Sequence, residues 1–210
     1  MTDPDKHSVR TNDYINRAVM RLMVMGSAIV LLIYILHGVE GHAWWCSCGT
    51  LIPWSFDIWS IHNSQHLFDP YSFSHFLHGI LFMGVLTAIL PRTSLTQKVI
   101  ISFFLESTWE IAENSPFIIE RYRAATLAVG YAGDTVINSL SDVLFCILGV
   151  LVASRLKRTY CIALFCIIEI LLLIWFRDNL TLNVLMLLYP IESIRIWQQN
   201  GMSIWSVVLQ

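Results

Sequence analysis

Apolar residues fill five long stretches of this chain, at 18–36, 74–90, 97–115, 134–154 and 160–176. Each approaches the roughly 20 residues that an α-helix needs to cross the hydrocarbon core of a bilayer. The pattern predicts an all-α, polytopic membrane helix bundle with about five transmembrane helices, forming a single membrane domain over 1–210. A further apolar stretch, 180–189, is too short to cross. It is expected to lie in the interface or to re-enter. A polar lead at 1–17 precedes the first span. Segment 37–73 forms a long loop, 74–154 carries the polar-site helices, and 177–210 forms a tail. Gly41 and Ala43 have the spacing of a signal-peptide cleavage site. The long lead and the full-length apolar run favour an uncleaved first span instead.

Polar residues interrupt three of these stretches in register. Glu106, Glu110 and Glu113 are spaced i, i+4, i+7. Asp134, Asn138 and Asp142 are spaced i, i+4, i+8, and His75 and His78 are i, i+3. Residues so spaced share one helical face. A carboxylate at the bilayer centre costs roughly 2.5–3.5 kcal/mol, so several of them must be paired, protonated or bound to a cation. With a rise of about 1.5 Å per residue, Glu113, Asp134 and His75 fall at one depth, and Glu110, Asn138 and His78 about one turn deeper. The expectation is three neighbouring helices that turn these stripes toward one site.

Composition agrees with a membrane protein. The chain is 56% hydrophobic and 13% charged, against about 25% charged in soluble domains. Net charge is −2 with no basic block, which excludes nucleic-acid binding. Nine Lys and Arg fall in the segments that share a side with the N-terminus, and Arg121, Arg123, Arg177 and Arg195 fall on the other. By the positive-inside rule the N-terminus is cytoplasmic in the inner (plasma) membrane, with 37–73, 116–133 and the tail in the periplasm. Trp44, Trp45, Trp54, Trp59, Trp197 and Trp205 cluster in these outer regions. They read as an interfacial aromatic belt or as a platform for lipid headgroups.

The converged stripes would bring five carboxylates and two imidazoles together. Nearby positive charge comes only from Arg121 and Arg123. Carboxylate oxygens with imidazole nitrogens suit Zn²⁺, Mn²⁺ or Fe²⁺. The candidate metal ligands are His75, His78, Glu110, Glu113 and Asp134. The candidate catalytic groups are Glu110, Glu113, His78 and Asp134. Arg121 and Arg123 would hold a phosphate, or pair with Glu113, Glu120 or Asp134. Asn138 and Asp142 would bind substrate or orient the ligands. The rival reading makes the polar residues interhelical hydrogen bonds that hold the bundle together. Glu169 stands alone in the last span and receives no role.

Of five cysteines, Cys146, Cys161 and Cys166 read as small buried apolar residues. Cys46 and Cys48 form a C-x-C pair in the long loop. They can share a soft metal, oxidise or pair elsewhere, and a disulfide between them would be strained. His42, His62 and His66 could complete a metal site, with His66, Cys46 and Cys48 as the weaker second candidate set. Ordinary polar loop histidines are the simpler reading. Asp69-Pro70 is a turn signal, and Ser72 or Ser74 can cap the following span.

Several motifs follow one another in order. They are Cys46-x-Cys48-Gly49, Asn63-Ser64-Gln65-His66, Tyr71-x-x-Ser74-His75-x-x-His78-Gly79, Trp109-Glu110-x-x-Glu113-Asn114-Ser115-Pro116, Arg121-Tyr122-Arg123 and Gly133-Asp134-x-x-Ile137-Asn138-Ser139-x-x-Asp142. Together they resemble an uncharacterised family of multi-pass inner-membrane proteins of proteobacteria. The resemblance covers Cys46 to about Gly149 and implies a plasma-membrane protein, without a reaction. A more distant likeness is to VanZ-like membrane proteins. The pattern departs from those at Asp142 and in the Cys-rich loop, so glycopeptide resistance does not carry over.

The functional expectation is a metal- or acid/base-dependent enzyme acting on a lipid or lipid-linked substrate, with membrane lipids as partners and a divalent metal ion as cofactor. The alternatives are a non-catalytic binding or accessory protein and a proton or metal conduit. The conduit is disfavoured because no inverted repeat is visible and the inner half of the bundle is apolar.

Overall fold

A computed structural model describes the backbone of residues 4–125 and 131–208 and the side chains of 18–125 and 131–200. The N-terminal lead and Trp205 are therefore outside the described side chains. Among the described residues the order is α1 (Pro4–Ile33), a π-helical segment (Tyr34–Val39), α2 (Ser72–Ile89), α3 (Leu95–Glu113), α4 (Pro116–Ala125), α5 (Val136–Arg155), α6 (Arg158–Phe176), α7 (Leu180–Leu188) and α8 (Glu192–Val208). The all-α reading holds. Four helices are long and apolar enough to cross a membrane: Ala18–Val39, Ser72–Ile89, Val136–Arg155 and Arg158–Phe176. Helix α3 is of similar length but carries Lys98, Glu106, Glu110 and Glu113, and it is not among them. The segment after Ser115 is not a plain loop, since α4 occupies most of it. The tail is likewise helical, as α7 and α8.

Sequence sets these helix ends. Ser94 opens α3 with a capping box completed by Gln97. Thr135 opens α5 by accepting from the Asn138 amide, and Asn179 opens α7 by accepting from Leu182. Asp69, the expected turn residue, takes the amides of Tyr71 and Ser72 on one carboxylate oxygen and that of Ser64 on the other.

Helix α5 lies against α2 and α3, and α2 also touches α3. The α2–α5 crossing is a close backbone approach. A Cβ on Gly79 would collide with the Cys146 carbonyl, and one on Gly149 with the Phe76 carbonyl. Between helices in lipid there is little hydrophobic driving force, so such small-residue contacts and polar links matter more than apolar burial. Leu32, Leu36, Phe103, Val136 and Val143 form a cluster joining α1, α3 and α5. Leu77, Ile80 and Leu180 join α2 to α7. The outward side chains are apolar: Leu144 is 68% exposed and Ile174 74%.

The long loop is tied to the start of α5. Thr135 donates its amide to the Ser64 carbonyl (3.0 Å) and Val136 to Ala43 (2.9 Å). Asn138 Nδ2 donates to the His66 carbonyl (2.9 Å) and Gln65 Nε2 to that of Gly133 (2.9 Å). The loop is thereby held across the end of the bundle where α2 and α5 begin and α3 ends.

Candidate functional site

The three polar stripes meet. Helix α2 brings His75 and His78, α3 brings Glu106, Glu110 and Glu113, and α5 brings Asp142. Glu106 lies at the centre, fully buried, and one carboxylate oxygen accepts from Nδ1 of His75 (2.6 Å) and of His78 (2.9 Å). His75 Nδ1 also stands 3.3 Å from Glu110 Oε1, and its Nε2 stands 3.9 Å from Asp142 Oδ2. Two sets of donor atoms within 4.8 Å share His75: His75, His78 and Glu106, and His75, Glu110 and Glu113.

Several acceptors here are buried without a hydrogen-bond partner: both oxygens of Glu110, Oε2 of Glu113, Oδ1 of Asp142 and Oδ1 of Asn138. Carboxylate oxygens accept and never donate unless protonated. Leaving them unmatched in a dry interior is expensive. A cation between His75, Glu110 and Glu113, or protons on the carboxyls, would match them. The donor set fits a divalent ion of the zinc, manganese or iron type.

Two cavities adjoin this centre. The smaller, of about 40 Å³, is polar and is lined by Ser64, Tyr71, His75, Glu113, Tyr122, Tyr131, Asp134 and Asp142 among others. The larger, of about 430 Å³, runs between α2, α3, α4 and α7. Its lining combines His75, His78, Glu113, Tyr71 and Tyr122 with Phe82, Leu105, Trp109, Leu180, Val184 and Leu187, and the His78 ring lies against both Phe82 and Trp109.

Not every expected residue joins the centre. Asp134 falls in neither metal-competent set. It accepts from Asn114 Nδ2 (3.0 Å) and from the Tyr131 hydroxyl (2.8 Å), and its amide donates to Asn114 Oδ1 (2.6 Å). It therefore pins the start of α5 to the end of α3. Asn138 serves the loop through the His66 carbonyl. Arg121 Nε donates to the Leu187 carbonyl (2.8 Å) and Arg123 Nε to that of Tyr131. Neither arginine lines either cavity. Helix α4 supplies Tyr122 to the cavities instead of a guanidinium.

Sequence reasoning passed over Tyr71, Tyr122, Tyr131 and Asn114. Tyrosines and an asparagine beside carboxylates give no periodic signal, although Tyr71, Tyr122 and Asn114 sit inside singled-out motifs. Glu169 does have a role: its two oxygens accept from the amides of Leu180 (3.0 Å) and Thr181 (3.1 Å), capping α7. Asp178 accepts from the Tyr71 hydroxyl (2.9 Å), and burial pushes its carboxyl up to about 7.

The loop holds a second cluster. Cys46, Cys48, His62 and His66 place their donor atoms within 4.8 Å of one another. The hydrogen bond from Cys46, then those from Thr50, hold the Cys48 thiol down to about 6.

A family model described as "Protein of unknown function (DUF2585)" matches residues 37–200, a stretch that includes both clusters. Among similar proteins, a UPF0314 protein of Sphingopyxis alaskensis is 45% identical over 178 residues, covering 85% of this chain and 95% of the relative. One from Brucella anthropi is 42% identical over 84% of this chain and 91% of its own length. One from Rhizobium meliloti is 38% identical over 89% and 94% respectively. No solved structure matches the chain.

Proposed function

The chain belongs to the DUF2585 family, together with the UPF0314 proteins, and from that premise we propose a function on the chemistry of the site: a membrane enzyme acting on a lipid or lipid-linked substrate at a buried His/carboxylate centre. The observation that carries this reading is the 430 Å³ cavity, whose lining combines His75, His78 and Glu113 with Phe82, Leu105 and Val184. A substrate with a polar head and an apolar chain matches that mixed lining.

His75, Glu110 and Glu113 would hold a divalent cation, which would supply Lewis acidity toward the headgroup. Glu106 accepts the Nδ1 proton of His78 and so leaves Nε2 as its basic nitrogen. That nitrogen takes a proton from water or a headgroup hydroxyl. Asp142 steadies His75 from the α5 side.

The protein sits in the inner membrane with its N-terminus in the cytoplasm, and α3 is the fifth crossing. The excess of Lys and Arg on the N-terminal side supports the orientation. The 19-residue length of α3 and its packing against both α2 and α5 support the crossing. The likeness to VanZ-like proteins adds no reaction.

A second, non-catalytic reading as an accessory membrane protein draws on Asp134 and Asn138. Both are engaged in holding elements together, as an interhelical network requires. Elemental analysis separates the two. The full chain, with Cys46 and Cys48 both replaced by serine so that no loop thiol takes part, is purified in detergent. The enzyme reading expects a bound divalent ion, with retention falling about 10–100-fold or more in Glu110→Gln. A folded protein that holds no ion, or holds it equally in Glu110→Gln, favours the network.

A further inference from the structure

The cluster in the loop lies apart from the buried centre and uses different chemistry. Cys46, Cys48 and Gly49 form a tight turn: Gly49 has φ +73° and donates its amide to the Cys46 carbonyl, and the Cys48 amide donates to Cys46 Sγ (3.4 Å). This folds both thiols to one side. His62 Nδ1 stands 3.3 Å from Cys46 Sγ, and His66 Nε2 stands 3.9 Å from Cys48 Sγ. A tetrahedral zinc ion, with Zn–S about 2.3 Å and Zn–N about 2.0–2.1 Å, sets sulfur and nitrogen about 3.5 Å apart. The two observed separations bracket that edge.

His66 is also prepared as a ligand. Its Nδ1 lies 2.7 Å from the Ile52 carbonyl. A carbonyl only accepts, so Nδ1 carries the proton and Nε2 keeps its lone pair turned to Cys48. This is the usual outer partner of a metal-bound imidazole. Trp45 packs edge-on against the same ring at 5.7 Å. Cys46 and His66 are buried, and both cysteines are unpaired.

We propose that Cys46, Cys48, His62 and His66 form a closed, four-ligand Zn²⁺ site that fixes the long loop as the roof of the buried centre. Four protein ligands leave no open position, which is the arrangement of a structural zinc site. Binding deprotonates any thiol still protonated and releases those protons to solvent. Its mechanical reach runs through His66, whose carbonyl accepts from Asn138, and through Ser64 and Gln65, whose carbonyls accept from Thr135. Ser64 in turn lines the polar cavity. The site is independent of what the buried centre does.

The test uses the full chain in detergent, loaded with Zn²⁺ or with Co²⁺ as a spectroscopic substitute. Wild type is expected to hold zinc and, with cobalt, to show the thiolate-to-metal charge-transfer band. The band is lost in Cys48→Ser together with the zinc that the loop holds, while any ion at the buried centre stays, and the loop's zinc affinity falls at least about tenfold in His66→Gln. Glu110→Gln keeps the band, because the buried centre has no thiol among its donors. In wild type alone, zinc shields both loop cysteines from alkylation and a chelator exposes them, which serves if the variants do not fold. Absence of the band in wild type, copper in place of zinc, alkylation indifferent to zinc, or recovery of Cys46 and Cys48 as a disulfide overturns the proposal.

Discussion

Glu169 and Glu106 are both acidic residues buried in apolar helices, yet their neighbours give them different tasks. Glu106 faces two imidazoles and accepts from both. Glu169 faces the open end of α7, where two amides would otherwise lack partners. Glu169→Ala is expected to destabilise the protein by about 1–3 kcal/mol, with Glu169→Gln milder because one oxygen remains. Thermal unfolding in detergent checks this, and an unchanged midpoint in the Ala variant contradicts it. The stripe of Glu106, Glu110 and Glu113 was readable from spacing, because helical periodicity alone puts such residues on one face. The role of Glu169 was not, because its partners come after a reversal of the chain at Arg177, which has φ 55°. The same holds for Asp134. Its spacing matched the ladder, but hydrogen bonds to Asn114 and Tyr131 draw it to the helix ends.

At the scale of elements, α2 and α5 meet backbone to backbone through Gly79 and Gly149. That contact holds His75 and His78 against α3 from one side and Asp142 from the other. The two glycines in the sequence gave no hint of it, since a small residue announces close packing only when its partner helix is known. The helical content of 116–125 was also hidden, because α4 is only 10 residues long.

The α6–α7 junction makes a pH prediction. Asp178 is buried there and receives the Tyr71 hydroxyl and the side-chain amides of Asn183 and Gln198. Burial raises its carboxyl from 3.8 to about 7. Between those values the folded state binds a proton that the unfolded state has released. Its contribution to stability is therefore full below about pH 4, declines as pH rises and levels off above about pH 7. The unfolding midpoint of wild type relative to Asp178→Asn should fall across that window. Parallel pH curves for the two proteins contradict the assignment.

For the whole molecule, hydropathy made the all-α architecture legible, and among the described residues four helices are long and apolar enough to cross a membrane. Helix α3 falls outside that criterion because the residues that form the site dilute its apolar character. The cavity was not legible at all: it arises where α4 and α7 lean on α2 and α3, and neither short helix has a sequence pattern that fixes its place. It nevertheless sets His75, His78 and Glu113 beside apolar side chains, on which the functional reading depends. The most direct measurement is to incorporate the full chain into vesicles of lipid extracted from Rhizobium meliloti membranes, add divalent metal, and compare the lipid species by mass spectrometry over time. The account predicts a lipid or lipid-linked species that is altered by wild type and left intact by a folded Glu110→Gln variant. An unaltered lipid profile with wild type, or the same alteration with the variant, contradicts it.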